Sequence, residues 1–190
     1  MSADRNDRAR LFEAYLVAAA RTGDAAARAR LVAAWQPRLI GHAWRLTGDT
    51  EMAREAVQDS WVEILKRLTT LRDEMAFPAW ALRIVTRRCA RLGGRRGRDR
   101  ARQTGLDDGA VPGTPGPDTG PDVLARRQMQ SGLETLPPDQ RAALALVYLH
   151  GLSVAEAALA LDAPEGTIKT RLMHARRKLR DHLTLHGVTP

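Results

Sequence analysis

The chain holds a single cysteine, Cys89, so neither an internal disulfide nor a cysteine-built zinc cage can form. It has no run of about 18 apolar residues, and no transmembrane helix is expected. Its start, Met1-Ser2-Ala3-Asp4-Arg5-Asn6-Asp7, sets no apolar stretch behind a basic one, so no secretory signal peptide is expected either. Apolar and polar residues nowhere alternate with period two between turn signals, which argues against strands. Catalytic patterns are equally sparse. There is no P-loop and no HExxH pattern. His182 and His186 lie one helical turn apart without a third ligand nearby and read as solvent-facing. Asp107-Asp108 falls among prolines and glycines, where nothing would fix its geometry. Neither an enzyme, nor a metal, nor a cofactor is implied. The reading is a protein of a reducing, cytoplasmic compartment.

Acid is scarce relative to base. Thirty Lys and Arg against 22 Asp and Glu give a net charge of +8 and a pI near 10.8. That balance favours a polyanionic partner, nucleic acid before membrane. Lysine occurs only at Lys66, Lys169 and Lys178, so arginine carries nearly all the positive charge, as a GC-rich genome alone would also produce.

The periodicity present is helical. Leu11 to Val17 open a first helix that stops around Thr22-Gly23-Asp24, and Asp24 can cap a second with an apolar stripe of Leu31, Ala34, Trp35, Ile40, Ala43 and Trp44, which Pro37 kinks or splits. Asp49 can cap a third helix, in which Ala53, Val57, Trp61, Ile64 and Leu68 recur at three and four residues. A fourth begins near Phe77-Pro78, its inner face formed by Trp80, Ile84 and Leu92. From Gly97 to Pro121, proline and glycine are too dense for a packed core, so this stretch reads as a flexible linker. Every aromatic residue except Tyr148 precedes it. The fold is therefore all-α, with two small helical domains. The first, residues 1–96, has an aromatic core. The second, residues 122–190, has an aliphatic one, with a helix to Leu136 and another carrying Ala142, Leu146 and Leu149.

The most informative stretch lies in the second domain. Ser153 followed by Glu156 is a capping box, and Asp162-Ala163-Pro164 ends that helix almost at once. Pro164 suits the first turn of a new helix. Two short helices across a tight turn, the second ending in a basic run, form a helix-turn-helix pattern. In the second helix Ile168, Leu172, Ala175 and Leu179 share an inner face. Gly166, Lys169, Thr170, Met173, His174 and Arg177 point outward, either as a solvated basic face or as a surface able to read a DNA major groove.

Two surfaces of the first domain admit a similar choice. Arg83, Arg87, Arg91 and Arg95 stand four apart with Arg88 beside them, a stripe suited to successive phosphates. As a merely solvated face it would suffer like-charge repulsion. Phe77 and Trp80 beside it suit either base stacking or the core, the core being favoured for Trp80. On the third helix Glu55, Gln58, Asp59, Val62 and Glu63 stand off the apolar stripe, a face for a protein partner or for solvent.

Taken together, these residues resemble bacterial RNA polymerase sigma factors of the extracytoplasmic-function (ECF) group of the sigma-70 family. The resemblance rests on Leu46-Thr47-Gly48-Asp49 with Glu55 to Val62, and on Phe77 with Trp80-Ala81-Leu82-Arg83-Ile84, for region 2. For region 4 it rests on Leu136-Pro137-Pro138, Gly151-Leu152-Ser153, Pro164 to Leu172, and Ala175 to Leu179. It implies a promoter-specificity subunit bound to core RNA polymerase and to promoter DNA, acting at the nucleoid, commonly restrained by an anti-sigma factor, and not inserted in a membrane. Glu55, Gln58, Asp59 and Val62 would dock on the β′ clamp helices. Phe77, Trp80, Arg83, Arg87, Arg88, Arg91 and Arg95 would engage the −10 element. Thr167, Lys169, Thr170, Arg171, Met173, His174 and Arg177 would engage the −35 element, with region 4 packed on the β flap. Arg87 departs from the Asn that many relatives carry there, and Ala157 and Ala158 are smaller than the usual aliphatic residue. The competing reading is a helix-turn-helix regulator that acts without polymerase.

Overall fold

The structure, a computed structural model, describes residues 2–100, 129 and 131–185. Among them there are helices and turns and no strand. Helix α1 spans Ser2–Arg21 and ends at Gly23, whose φ of 102° turns the chain. The Asp24 carboxylate accepts from the Ala26 and Ala27 N–H groups at 2.8 and 3.0 Å, which starts α2, Ala25–Thr47. Pro37 neither splits nor ends α2. The missing N–H is outweighed because Leu31, Trp35 and Leu39 are all held in the core on both sides of it. Gly48, at φ 69°, closes α2 by donating to the Trp44 carbonyl at 2.8 Å. Asp49 then caps α3, Thr50–Arg67, through the Met52 N–H at 2.8 Å. Two 3₁₀ turns, Leu68–Thr70 and Glu74–Ala76, lead to α4, Phe77–Arg100.

Helix α4 continues into the stretch expected to open a linker, because the arginines between Gly93-Gly94 and Gly97 are good helix formers. The rest of the expected linker, residues 101–121, lies outside the described residues, as do 122–128 of the helix expected before Leu136. A helical segment at 131–134 precedes α5, Pro138–Tyr148. The helix-turn-helix follows as α6, Val154–Leu161, and α7, Glu165–Leu185. Its capping box is complete: Glu156 N–H donates to Ser153 Oγ at 3.2 Å, and Ser153 N–H to Glu156 Oε2 at 2.7 Å.

Both expected helical blocks are present, and they share one apolar core. Ala142, Leu146, Leu152, Ala157 and Leu161 of the second block join Leu31, Leu39, Val57, Val85 and Cys89 of the first. Helix α4 is the shared wall, packed on α2 and α3 from one side and on α6 from the other. Ala157 and Ala158, 0% and 7% exposed, are the small side chains that let α6 approach it. The expected core position Leu149 is instead 64% exposed, since the last turn of α5 carries it past the packed face. The second helical-turn histidine, His186, lies outside the described residues. His182 is half-buried rather than solvent-facing, so close to Gly132 that a Cβ there would stand 3.0 Å from its ring.

Candidate nucleic-acid and polymerase interface

Helix α7 presents the face its period predicts. Ile168, Leu172 and Ala175 are buried, while Thr167, Lys169, Thr170, Met173 and Arg177 are exposed. Leu179 is only half-buried. The Thr170 hydroxyl donates to the Gly166 carbonyl at 3.0 Å and stays at the surface. Half-buried His174 meets Arg177 through Nδ1 at 3.2 Å. Arg171 is partly withdrawn, because its Nε lies 2.9 Å from Asp139 Oδ2 at the start of α5. Asp139, Gln140, Gly166, Thr170 and His174 border a shallow depression between the two helices.

On α4 the arginine stripe is largely engaged. Arg83 donates to Asp162 Oδ1 from Nε at 3.0 Å and from Nη2 at 2.6 Å, and Arg87 donates to Asp162 Oδ2 from Nε at 3.2 Å. These hydrogen bonds hold the Asp162 carboxyl below its ordinary pKa. Arg88 sits 3.6 Å from Asp59 and 3.9 Å from Glu63. Arg91 is exposed and has no ion-pair partner among the described residues. The side chain of Arg95 lies outside the described residues. A polar cleft of about 100 Å³ runs between α3 and α4, lined by Arg67, Arg83, Arg87, Arg88 and Arg91, with Glu63, Ile84 and half-buried Trp80 among them.

Phe77 is the exception among the −10 candidates. It is 0% exposed and meets Trp35 edge-on at 5.3 Å and 84°. A ring enclosed in this way cannot offer a face to a base, so its place is in the core. Its neighbour Trp80, with ring centroids 6.1 Å away, keeps part of its ring at the cleft.

Glu55, Gln58, Asp59 and Val62 all stand exposed on α3, Val62 at 69%. Leu65, 39% exposed, extends the same side of the helix and was missed because its spacing from Trp61 mimics a core position. The Asp59–Arg88 contact joins this face to the arginine cleft.

Sequence reasoning also missed an apolar groove of about 570 Å³ between the end of α2 and helices α5 and α7. Trp44, Leu133, Leu144, Tyr148 and Leu149 form its floor. Arg141 lies over the Trp44 ring at 5.3 Å and Arg176 over Tyr148 at 5.6 Å. Leu144 and Tyr148 of α5, with Leu149 just past its end, were a legible second apolar stripe at i, i+4 and i+5.

Comparison with known proteins returns one family. The Sigma-70 region 2 profile matches residues 31–100, and the Sigma-70 region 4 profile matches 126–179. ECF RNA polymerase sigma factor EcfG of Rhodopseudomonas palustris is 32% identical over 152 residues, 80% of this chain and 82% of that protein. ECF RNA polymerase sigma factor SigL of Mycobacterium tuberculosis is 32% identical over 88% of this chain and 97% of its own length. SigE of Mycolicibacterium smegmatis is 31% identical over 87% of this chain, which spans 66% of that relative, just under two thirds. Among solved structures, the sigma factor RpoE in complex with the anti-sigma factor NepR from Bartonella quintana aligns with a TM-score of 0.69 at 24% identity, covering 82% of this chain and 95% of that one. CnrH in complex with the cytosolic domain of CnrY aligns at 0.59, also 24% identical, over 91% and 97%. At that identity the two structures speak for the fold.

Proposed function

The chain belongs to the ECF RNA polymerase sigma factors of the sigma-70 family, and on that premise we propose that it binds core RNA polymerase and directs it to promoters. The observation that carries the reading is the pairing, in one chain, of an arginine-lined cleft on α4 with an uncovered recognition face on α7. In it Trp80, Arg83, Arg87, Arg88, Arg91 and Arg95 act on the −10 element, the arginines chiefly on phosphates. Thr167, Lys169, Thr170, Arg171, Met173, His174 and Arg177 act on the −35 element, those nearest the helix start reaching base edges. Glu55, Gln58, Asp59 and Val62 take the β′ clamp helices, and the apolar groove beside Tyr148 takes the β flap. Phe77 supports the first set from the core. The protein works as a specificity subunit rather than a catalyst, in the cytoplasm at the nucleoid. Among the described residues no helix is long and apolar enough to cross a membrane. An anti-sigma factor is the proposed inhibitor, by analogy with NepR, the partner held by RpoE in one structural neighbour.

The competing reading, a regulator that never joins polymerase, gives the exposed Glu55–Val62 face no work. Transcription by purified core polymerase over fragmented genomic DNA, with start sites mapped, separates the two. Initiation at defined sites only when the chain is added supports the sigma reading, and DNA binding without any start sites defeats it. In a pull-down Asp59→Arg with Gln58→Ala should weaken capture of core polymerase, while binding to duplex −35 DNA persists in a separate binding measurement. The DNA surfaces should differ in kind. Thr170→Ala is expected to change preference at particular −35 positions by about 1–3 kcal/mol for each base-edge interaction it removes. Arg91→Ala should weaken all promoters alike and make the salt slope shallower by about 0.9 unit. A randomised-promoter selection at two salt concentrations reads both, and base preferences moved by Arg91→Ala but not by Thr170→Ala would refute the division.

A further inference from the structure

Among the described residues, half-buried Arg10, Arg21, Arg83, Arg88 and Arg171 each meet a carboxylate. Arg45 of α2 and Arg141 of α5 are half-buried as well, and neither has an ion-pair partner among the described residues. Both line the apolar groove between the end of α2 and helices α5 and α7. Exposed Arg176 adds a third guanidinium to that lining, and Glu134 is its one acid. Burial lowers the pKa of both Arg45 and Arg141. The charge of Arg141 lowers Arg45 further, and Glu134 partly offsets the effect on Arg141.

The same corner of the groove holds two donors that lack an acceptor. The Arg141 guanidinium lies over the Trp44 ring at 5.3 Å, and Arg141 Nε and Trp44 Nε1 are buried with no hydrogen-bond partner among the described residues. A buried N–H without an acceptor, like a buried cation without an anion, costs free energy, and one anionic acceptor here relieves both. Away from this corner the lining turns apolar. Tyr148 follows Arg141 by two turns of α5, roughly 10 Å at about 1.5 Å per residue. Leu133, Leu144 and Leu179 complete that surface. At about 570 Å³ the groove falls within the roughly 300–1,000 Å³ of small-molecule sites, which set a few convergent polar groups on such a floor.

We propose that this groove binds a free amphiphilic carboxylate of the fatty-acid type, its head on Arg45, Arg141 and Trp44 Nε1 and its chain along Leu144 toward Tyr148. A carboxylate offers two oxygens to a guanidinium fork and a further lone pair to the indole N–H. A single negative charge suits the corner better than a dianionic head, because Glu134 would repel the second charge. The chain is covered by the leucines, and it covers in turn the exposed Tyr148 and Leu149. Binding stands by itself, whereas its consequence rests on the assignment of this groove to the β flap. On that reading ligand and flap exclude each other, and the carboxylate inhibits initiation.

Calorimetric titration of the full chain with decanoate, below its micellar concentration, tests the site. Decanoate should bind once per chain, decan-1-ol roughly tenfold more weakly for want of the charge, and hexanoate roughly a hundredfold more weakly for want of chain length. Arg141→Met and Arg45→Met keep an apolar stem and remove the charge. Each should weaken decanoate by about tenfold and leave decan-1-ol unchanged. Arg30→Met, exposed near the start of α2, controls for the loss of one positive charge and should bind as the wild type does. Tyr148→Ala, at an exposed position, should weaken both ligands, and it keeps the test decisive if an arginine variant misfolds. Decan-1-ol binding as tightly as decanoate would overturn the proposal. So would equal decanoate affinity in Arg141→Met, Arg45→Met and Arg30→Met. Start-site mapping keeps the two claims apart. Decanoate that suppresses initiation by the wild type more than by Arg141→Met supports both. Decanoate that binds as stated without changing initiation keeps the ligand site and removes the β flap from the groove.

Discussion

Phe77→Ala is expected to destabilise the chain by about 3–5 kcal/mol, a large part of the roughly 5–15 kcal/mol available to a folded domain. Phe77 opens α4 and is fully enclosed, edge-on to Trp35, itself 2% exposed on α2. The ring thus fixes the start of the arginine-bearing helix against the buried stripe of α2. Removing it leaves a cavity that neither neighbour can fill, because Trp35 is held by Leu31 and Leu39 around it and Trp80 is anchored at the cleft. Trp80→Ala, at a half-buried site, should cost less stability and more −10 binding. Urea unfolding of the two variants beside promoter binding decides the matter. If Phe77→Ala loses under 1 kcal/mol of stability while promoter melting is abolished, the ring belongs to the DNA surface after all.

Much of the fold is legible in the sequence. The stripe from Ala53 to Ile64 in α3 with Leu68 just beyond it, the caps at Asp24, Asp49 and Ser153, and Ile168, Leu172 and Ala175 on the inner face of α7 follow local rules, and each appears as its spacing requires. Spacing does not reveal how the two blocks meet. The first turns of α4 hold the clue: Phe77 to Val85 is apolar on nearly every side, with Arg83 the one charge. A helix apolar all round is covered all round. An inner face of Trp80, Ile84 and Leu92 leaves Ala81, Val85 and Cys89 unassigned, and these are buried too. The small pair Ala157-Ala158 forms the close-packed side of α6.

The candidate site is legible in its residue types and less so in its pairings. Arg83, Arg87 and Arg88 are identifiable as a stripe, but a stripe does not say which acids face it. Asp162 is 79 residues from Arg83 and is visible in the sequence only as part of a helix break. Asp59, assigned to the polymerase face by its own helix, also meets Arg88. Long-range ion pairs of this kind depend on how whole elements dock, and no local period encodes them.

The stability of the folded chain should be sensitive to acid, through His42. This histidine is fully buried on α2, with Nε2 2.9 Å from the Thr86 hydroxyl that itself reaches the Ala160 carbonyl. Burial lowers its pKa from 6.5 to about 3, with His150 and Arg45 adding repulsion. His150, half-buried at the end of α5, is lowered to about 4 by burial and by Arg45 and Arg38. Arg141 adds a further cation beside Arg45. Both histidines are therefore neutral in the folded chain and become protonated in the unfolded one below pH 6.5. The unfolded state then binds more protons, so stability is fully present above pH 6.5 and falls as pH drops toward the folded values. Each pH unit in that window costs about 1.4 kcal/mol per histidine, hence about 2 kcal/mol from His42 alone at pH 5. At that pH most carboxylates are still ionised, so the decline is assignable. Urea unfolding at pH 7.5 and pH 5 should show it in the wild type and a flatter profile in His42→Leu, in which the buried imidazole is gone and Thr86 keeps its carbonyl acceptors on Leu82 and Ala160. The same slope in both proteins would mean that the acid response lies elsewhere and that the imidazole between the blocks is not its source.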